Sequence, residues 1–258
     1  MENTNDTFIS HLKELRTRLM ISFGTLLVGF FICFYYADFI FNFLTAPLVD
    51  VFGDISDRRL IYTGLAEKFF TNVKLAFFAS FMFVFPIIST QIWGFVAPGL
   101  YKNEKKVFLP FLIMTPILFF IGSAFVYYFV LPVAWEFFVG FEQMGGDNTL
   151  SIQLESKVDE YLSLVMRLIF AFGLAFELPV LLLLLVQVGI TSSQGLKQKR
   201  RYAILISFVV AAVLTPPDPL SQIGLAVPMI LLYEISIIIA GFMKSDKKKN
   251  NKKKLKGK

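Results

Sequence analysis

The stretch "AFGLAFELPVLLLLL", residues 171–185, sets one carboxylate, Glu177, in a run that is otherwise without charge. Such a run is either a core helix of a large soluble domain or part of a membrane span. The rest of the chain separates the two. It has 258 residues, 56% of them hydrophobic, and a mean hydropathy of +0.66. Soluble domains keep apolar residues near about 45–50%. A soluble core can bury one or two such helices, not the six apolar runs found here, so a polytopic membrane protein is predicted. Hydrocarbon offers no water to backbone N–H and C=O groups, so the spans must be helices and the fold class all-α.

The six predicted spans cover about residues 19–36, 69–93, 107–131, 161–188, 202–215 and 223–243. They form one membrane domain, residues 1–243, followed by a lysine-rich tail, residues 244–258, for which disorder is predicted. The tail holds nine lysines and a single acid, Asp246, leaving 16 basic and 18 acidic residues in the body. The formal charge of +6 is therefore a property of the tail. Such a tail is drawn to anionic lipid heads. No aromatic residues interleave its lysines, so nucleic acid is not an expected partner.

Lys13, Arg16 and Arg18 precede span 1, and Lys102, Lys105 and Lys106 lie between spans 2 and 3. Lys197, Lys199, Arg200 and Arg201 lie between spans 4 and 5. Cytoplasmic loops carry the excess of Lys and Arg, so both termini are predicted inside. The alternate loops carry Asp38, Asp50, Asp54 and Asp57, then Glu136, Glu142, Asp147, Glu155, Asp159 and Glu160. Arg58, Arg59 and Lys157 dilute that pattern without reversing it. Phe8, Leu12, Leu15 and Leu19 recur at helical spacing, opposite Lys13, Glu14 and Arg18. That predicts an amphipathic helix on the inner membrane surface that turns into span 1. Glu2, Asp6 and the lack of a small-residue cleavage site argue against a cleavable leader.

Span 5 is short. Its 14 residues reach about 21 Å, against ~30 Å of hydrocarbon. "TPPDP", residues 215–219, then forces a tight turn. A helix this short must thin the bilayer or hide behind its neighbours. Cys33 is the one cysteine and lies in an apolar run, as a packed small hydrophobe would. His11 is the one histidine, so neither a metal site nor another cofactor is expected. There is no G-x-x-x-x-G-K-[ST] run and no recognisable nucleophile–base pair, so the chain is not expected to be an enzyme.

The polar residues inside the spans carry the functional question. Glu177 lies near the middle of span 4 and Glu234 within span 6. A charge at bilayer centre costs on the order of 3 kcal/mol by insertion scales, so each must face the bundle, meet a polar partner or stay protonated. Pro179 frees a carbonyl one turn back, which predicts a bent, locally polar site around Glu177. Arg167 is ten residues before Glu177, about 15 Å along the helix. It is therefore not the direct partner, and its side chain is expected to snorkel outward. Two readings follow from the residues. A small-solute or proton-coupled transporter would use the carboxylates as a relay; a docking protein would use Glu177 to hold another transmembrane helix. No internal repeat supports the first.

Five stretches in order, "HLKELRTRL" (11–19), "APL" (46–48), "WGFVAPGLYKNEKK" (93–106), "YLSLVMRLIFAFGLAFELPV" (161–180) and "LTPPDPLSQ" (214–222), resemble the TatC family over nearly the whole chain. TatC is the receptor subunit of the twin-arginine protein translocase. The outer loops, Arg167 and the lysine tail depart from the family pattern. The resemblance implies a receptor for folded export substrates whose signal peptides carry an Arg-Arg pair. It works with TatA and TatB, single-span proteins, within a homo-oligomeric complex driven by the transmembrane proton gradient. It also implies the cell inner membrane, or an organelle membrane for an organelle-encoded chain. Signal-peptide binding falls on Glu14, Arg16, Phe95 and Glu104. A carboxylate accepts a guanidinium fork that lysine cannot copy. From the residues alone, Glu14 reads as an i+4 partner of Arg18 and Glu104 as a neighbour of Lys105. "FVAPGLY" reads as a turn presenting Glu104. Glu177 becomes the docking point for TatA and TatB. Pro47, a turn in the first outer loop, Asp218 in the outer turn, and Glu234 also match family positions.

Overall fold

The computed structural model describes residues 4–53, 58–100, 105–143, 150–215 and 219–256. Its helices are α1 (Thr4–Tyr35), α2 (Ala37–Phe52), α3 (Glu67–Leu100), α4 (Lys105–Phe125), α5 (Leu131–Val139), α6 (Val158–Phe176), α7 (Leu178–Val188), α8 (Ser193–Gln198), α9 (Arg200–Leu214) and α10 (Pro219–Lys256). A π-helical segment, Val126–Val130, joins α4 to α5. Among the described residues β pairing is limited to two isolated bridges, Ile61 with Lys157 and Gln143 with Ile152. The all-α class expected from the absence of water in hydrocarbon is the class observed.

Five stretches are long and apolar enough to cross a bilayer: Ile9–Tyr35, Glu67–Val96, Leu109–Val139, Val158–Val188 and Ser221–Phe242. They overlap predicted spans 1 to 4 and 6. The remaining span coincides with α9, whose 15 residues reach about 22 Å.

Four local expectations differ from the structure. The N-terminal segment does not turn before span 1: α1 is one unbroken helix from Thr4 to Tyr35, because no Gly or Pro interrupts it before Gly24. The segment read as the first outer loop is largely helical, and Pro47 lies buried inside α2 and not at a turn. Pro98 and Gly99 do not stop α3, whose backbone runs on to Leu100; a proline this close to a helix end removes one bond and leaves most of the helix in place. The backbone of α10 continues through the lysine segment to Lys256, in keeping with the fair helix propensity of lysine.

The chain divides into two compact units, Met1–Ile117 with Tyr127–Met166, and Leu118–Val126 with Arg167–Lys258. In the first, α1 packs on α3 and α2 on α5 and α3. Gly29 makes the α1–α3 approach possible. A Cβ there would sit 2.6 Å from Ser80 Oγ, which instead donates to the Leu26 carbonyl at 2.7 Å. Small residues at such crossings let helices meet where hydrophobic driving force is absent. Trp93 donates from Nε1 to Thr115 Oγ1 at 2.9 Å, which ties α3 to α4.

Pro47 explains an otherwise odd pair of bonds. Lacking an N–H, it leaves the carbonyl of Phe43 without its helical donor. Tyr127 supplies one: its hydroxyl donates to that carbonyl at 2.7 Å, and its ring stacks on Phe43 with centroids 4.6 Å apart. Tyr161 donates to the next carbonyl, Leu44, at 3.0 Å. Two loops of the same unit are joined by charge. Arg58 grips Glu142 through both guanidinium nitrogens, with Nη2 to Oε2 at 2.7 Å. Glu142 Oε1 also accepts from the Leu154 N–H at 2.8 Å. Lys74 donates to Asp159 at 2.7 Å, and Ile61 exchanges backbone bonds with Ser156 and Val158.

In the second unit α6 crosses the end of α4 at two glycines. A Cβ on Gly122 would lie 2.5 Å from the Phe172 carbonyl, and one on Gly173 would lie 2.6 Å from the Phe119 ring. Helix α10 packs on α7, α8 and α9. Tyr233 donates to the Leu196 carbonyl at 2.8 Å, and Ser193 to that of Ile237 at 3.2 Å, so α8 is held on α10.

Two outcomes follow. Tyr127→Phe strands the Phe43 carbonyl and should lower stability by about 1–3 kcal/mol. Pro47→Ala returns an N–H to that carbonyl, so the double variant should lose less than the two singles together; unfolding of the four proteins in detergent measures this. The Arg58 guanidinium and the Leu154 N–H hold the Glu142 carboxyl below its usual range. A depressed carboxylate contributes stability above its unfolded pKa, about 4.3, and loses it as pH falls through the folded value. Melting temperature should therefore fall on acidification below about pH 4, and less steeply in Glu142→Gln.

Candidate functional site

The N-terminal part of α1 and the C-terminal part of α3 meet at a small polar cluster. Residues 11, 14 and 18 lie on one helical stripe. Glu14 Oε1 accepts from Arg18 Nε at 3.0 Å and from Nη2 at 2.6 Å. His11 Nδ1 lies 3.6 Å from the second carboxylate oxygen. The His11 ring stacks on Phe95 at 4.5 Å with the planes 15° apart. Arg18 lies over Gly94, where a Cβ would collide with its guanidinium. Glu14 is half-buried and Arg16 exposed.

The structure therefore brings Glu14 and Phe95 together, with His11 and Arg18 between them. It does not bring Arg16 into the cluster: Arg16 lines a shallow groove along α1 with Leu12, Leu15, Leu19 and Phe23. Glu104 lies outside the described residues, as does Asp218. The i+4 pairing of Glu14 with Arg18, legible from spacing alone, is present. Chemically, the cluster is a carboxylate already shaped around a guanidinium, with an aromatic wall beside it.

Glu177 sits at the break between α6 and α7. Pro179 cannot donate to the Ala175 carbonyl, so the ladder is interrupted one turn earlier. There the Glu177 N–H bonds Leu174 at 3.1 Å, and the Leu181 N–H returns to Glu177 at 3.0 Å. The interruption of the ladder is thus where the proline puts it. The side chain is half-buried, with Oε1 enclosed from the surface.

Glu234 has a partner that sequence reading did not find. Arg200, at the start of α9, donates from Nη2 to Glu234 Oε2 at 2.6 Å. The two are 34 residues apart, so no local spacing rule connects them. The available signal was the short span itself, which brings the "KRR" segment, residues 199–201, to the depth of an acid on the neighbouring helix. His11 was also missed as the link to Phe95. Stacking depends on where α3 ends, and spacing within α1 says nothing of that. Among the described residues no group of His, Cys, Asp and Glu is disposed to hold a metal ion.

Comparison with known proteins places the whole chain. A family model for the Sec-independent protein translocase protein (TatC) matches residues 10–228. The chain is 50% identical over 229 residues to the Sec-independent protein translocase protein TatC of Magnetococcus marinus, covering 89% of this chain and 82% of that one. It is 47% identical over 246 residues to the TatC of Rickettsia prowazekii, covering 95% and 97%. A crystal structure of the twin arginine translocase receptor TatC superposes with a TM-score of 0.76 at 37% identity, over 89% of this chain and 99% of that one. The chain belongs to the TatC family of Sec-independent protein translocase proteins.

Proposed function

We propose that this chain is the signal-peptide receptor of a twin-arginine translocase, acting by binding and not by bond-breaking chemistry. The observation that carries the reading is the carboxylate of Glu14, which holds a guanidinium by two N–H donors beside Phe95. An incoming Arg-Arg pair offers the same fork and would exchange with Arg18. Glu104 is the second acceptor, and Arg16 and Phe95 complete the recognition surface. Lysine offers a point charge without the fork, so the site discriminates between the two. The receptor stands in the cell inner membrane with six spans, α9 as the short fifth, and both termini in the cytoplasm. Several copies assemble with TatA- and TatB-type single-span partners, which dock at Glu177. The proton gradient drives transport of the folded cargo.

Photo-crosslinking of a twin-arginine signal peptide to the membrane-embedded protein tests recognition. A charge-assisted hydrogen bond contributes about 1.5–3 kcal/mol, so Glu14→Ala should lower the yield about tenfold or more. Glu104→Ala and an Arg-Arg→Lys-Lys peptide should also lower it. Equal yields with arginine and lysine peptides would remove the assignment. Glu177→Ala should leave peptide capture intact while lowering both partner crosslinks and export of a folded reporter. Loss of peptide capture instead would reassign Glu177.

A further inference from the structure

Arg167 is exposed as the tenth residue of a 31-residue stretch long and apolar enough to cross the membrane, Val158–Val188. Among the described residues nothing bonds or pairs with its guanidinium. Arginine keeps its charge at any accessible pH. A cation there costs several kcal/mol unless an anion meets it.

The face it occupies is specific. Residues 167, 170, 174, 177 and 181 follow one another at spacings of three and four, so they share one stripe. Phe170, Leu174 and Leu181 on it are exposed. The other side of α6 is already used: Phe172, Gly173 and Phe176 lie against Phe119, Gly122 and Phe125 of α4. The stripe therefore has a cation at one end, a carboxylate toward the other, and an apolar stretch between. The two charges are ten residues apart, about 15 Å along the helix, so they do not neutralise each other directly.

We propose that this stripe receives a transmembrane helix carrying a carboxylate level with Arg167 and a hydrogen-bond donor about ten residues away, level with Glu177. The proposal rests on the reading of Glu177 as a docking point and adds the chemistry that the partner must bring. A lipid phosphate could meet Arg167 by snorkelling, but no headgroup reaches the depth of Glu177. An occupant with polar groups at both depths must itself cross the membrane. Apolar packing on Phe170 and Leu174 supplies the contact between them. In a low dielectric an arginine–carboxylate fork fixes register as well as partner.

The test uses the full chain in phosphatidylcholine vesicles with a photo-reactive residue in place of Phe170. The probes are synthetic Leu/Ala single-span helices with serine at the inner position and either Glu or Gln at the outer one. The Glu probe should crosslink at least fivefold better than the Gln probe. That preference should vanish in Arg167→Gln and persist in Arg167→Lys. It should pass to a probe bearing Lys in Arg167→Glu. Equal capture of Glu and Gln probes by the unmodified receptor overturns the proposal. So does a preference that survives Arg167→Gln, or one abolished by adding phosphatidylglycerol, which would make a lipid headgroup the occupant. Partner crosslinks at Glu177 are scored separately. Their loss in Glu177→Ala alongside a failed probe series would sink the Arg167 proposal and leave the docking reading intact.

Discussion

A buried backbone carbonyl that loses its helical donor must find another, and much of this structure is organised around that fact. Pro47 frees the carbonyl of Phe43, and Tyr127 meets it. Hydroxyls of Thr45, Ser123, Ser207, Thr215 and Ser236 bend back to carbonyls of their own helices. Tyrosine hydroxyls reach across to Leu44 and Leu196. These bonds join elements distant in sequence, so satisfying the backbone also fixes which helices lie together. The same constraint governs charge: Glu234 is tolerable within α10 because Arg200 reaches it.

Helix existence and class were legible because a long apolar run in lipid has few alternatives. Boundaries were less so. The segment after span 1 carries Asp38, Asp50 and Pro47, all signals of a loop, yet it folds as α2. The carbonyl that Pro47 frees within it is met by Tyr127, 84 residues from Phe43. No local rule can see a donor that tertiary packing brings. The unbroken course of α1 was misread for the opposite reason. An amphipathic segment and an apolar segment suggest two orientations, but a helix bends only where something breaks its ladder.

The candidate site was legible in part. Glu14 with Arg18 follows from i+4 spacing, and the helix break at Glu177 from Pro179. The contact of His11 with Phe95, and of Arg18 with Gly94, depends on the pairing of α1 with α3. The pairing of Arg200 with Glu234 depends on how α9 is set beside α10. Charge placement could not give partners across helices, because each acid had several bases within a plausible radius.

Helix α9 differs from its neighbours in how little holds it. Only Ser207 and Ala211 are buried along it, while Ile204, Leu205, Val209 and Val213 are exposed. Its principal packing partner is α10. Parting two helices in lipid trades protein contact for acyl-chain contact, and so carries no hydrophobic penalty of the kind water imposes. Such a helix opens at lower free energy than one gripped on several sides. Its amides should therefore exchange with solvent sooner than those of α6, with the Arg200–Glu234 pair tying one end to α10. This makes α9 a compliant element, able to yield while the close α4–α6 crossing keeps its shape.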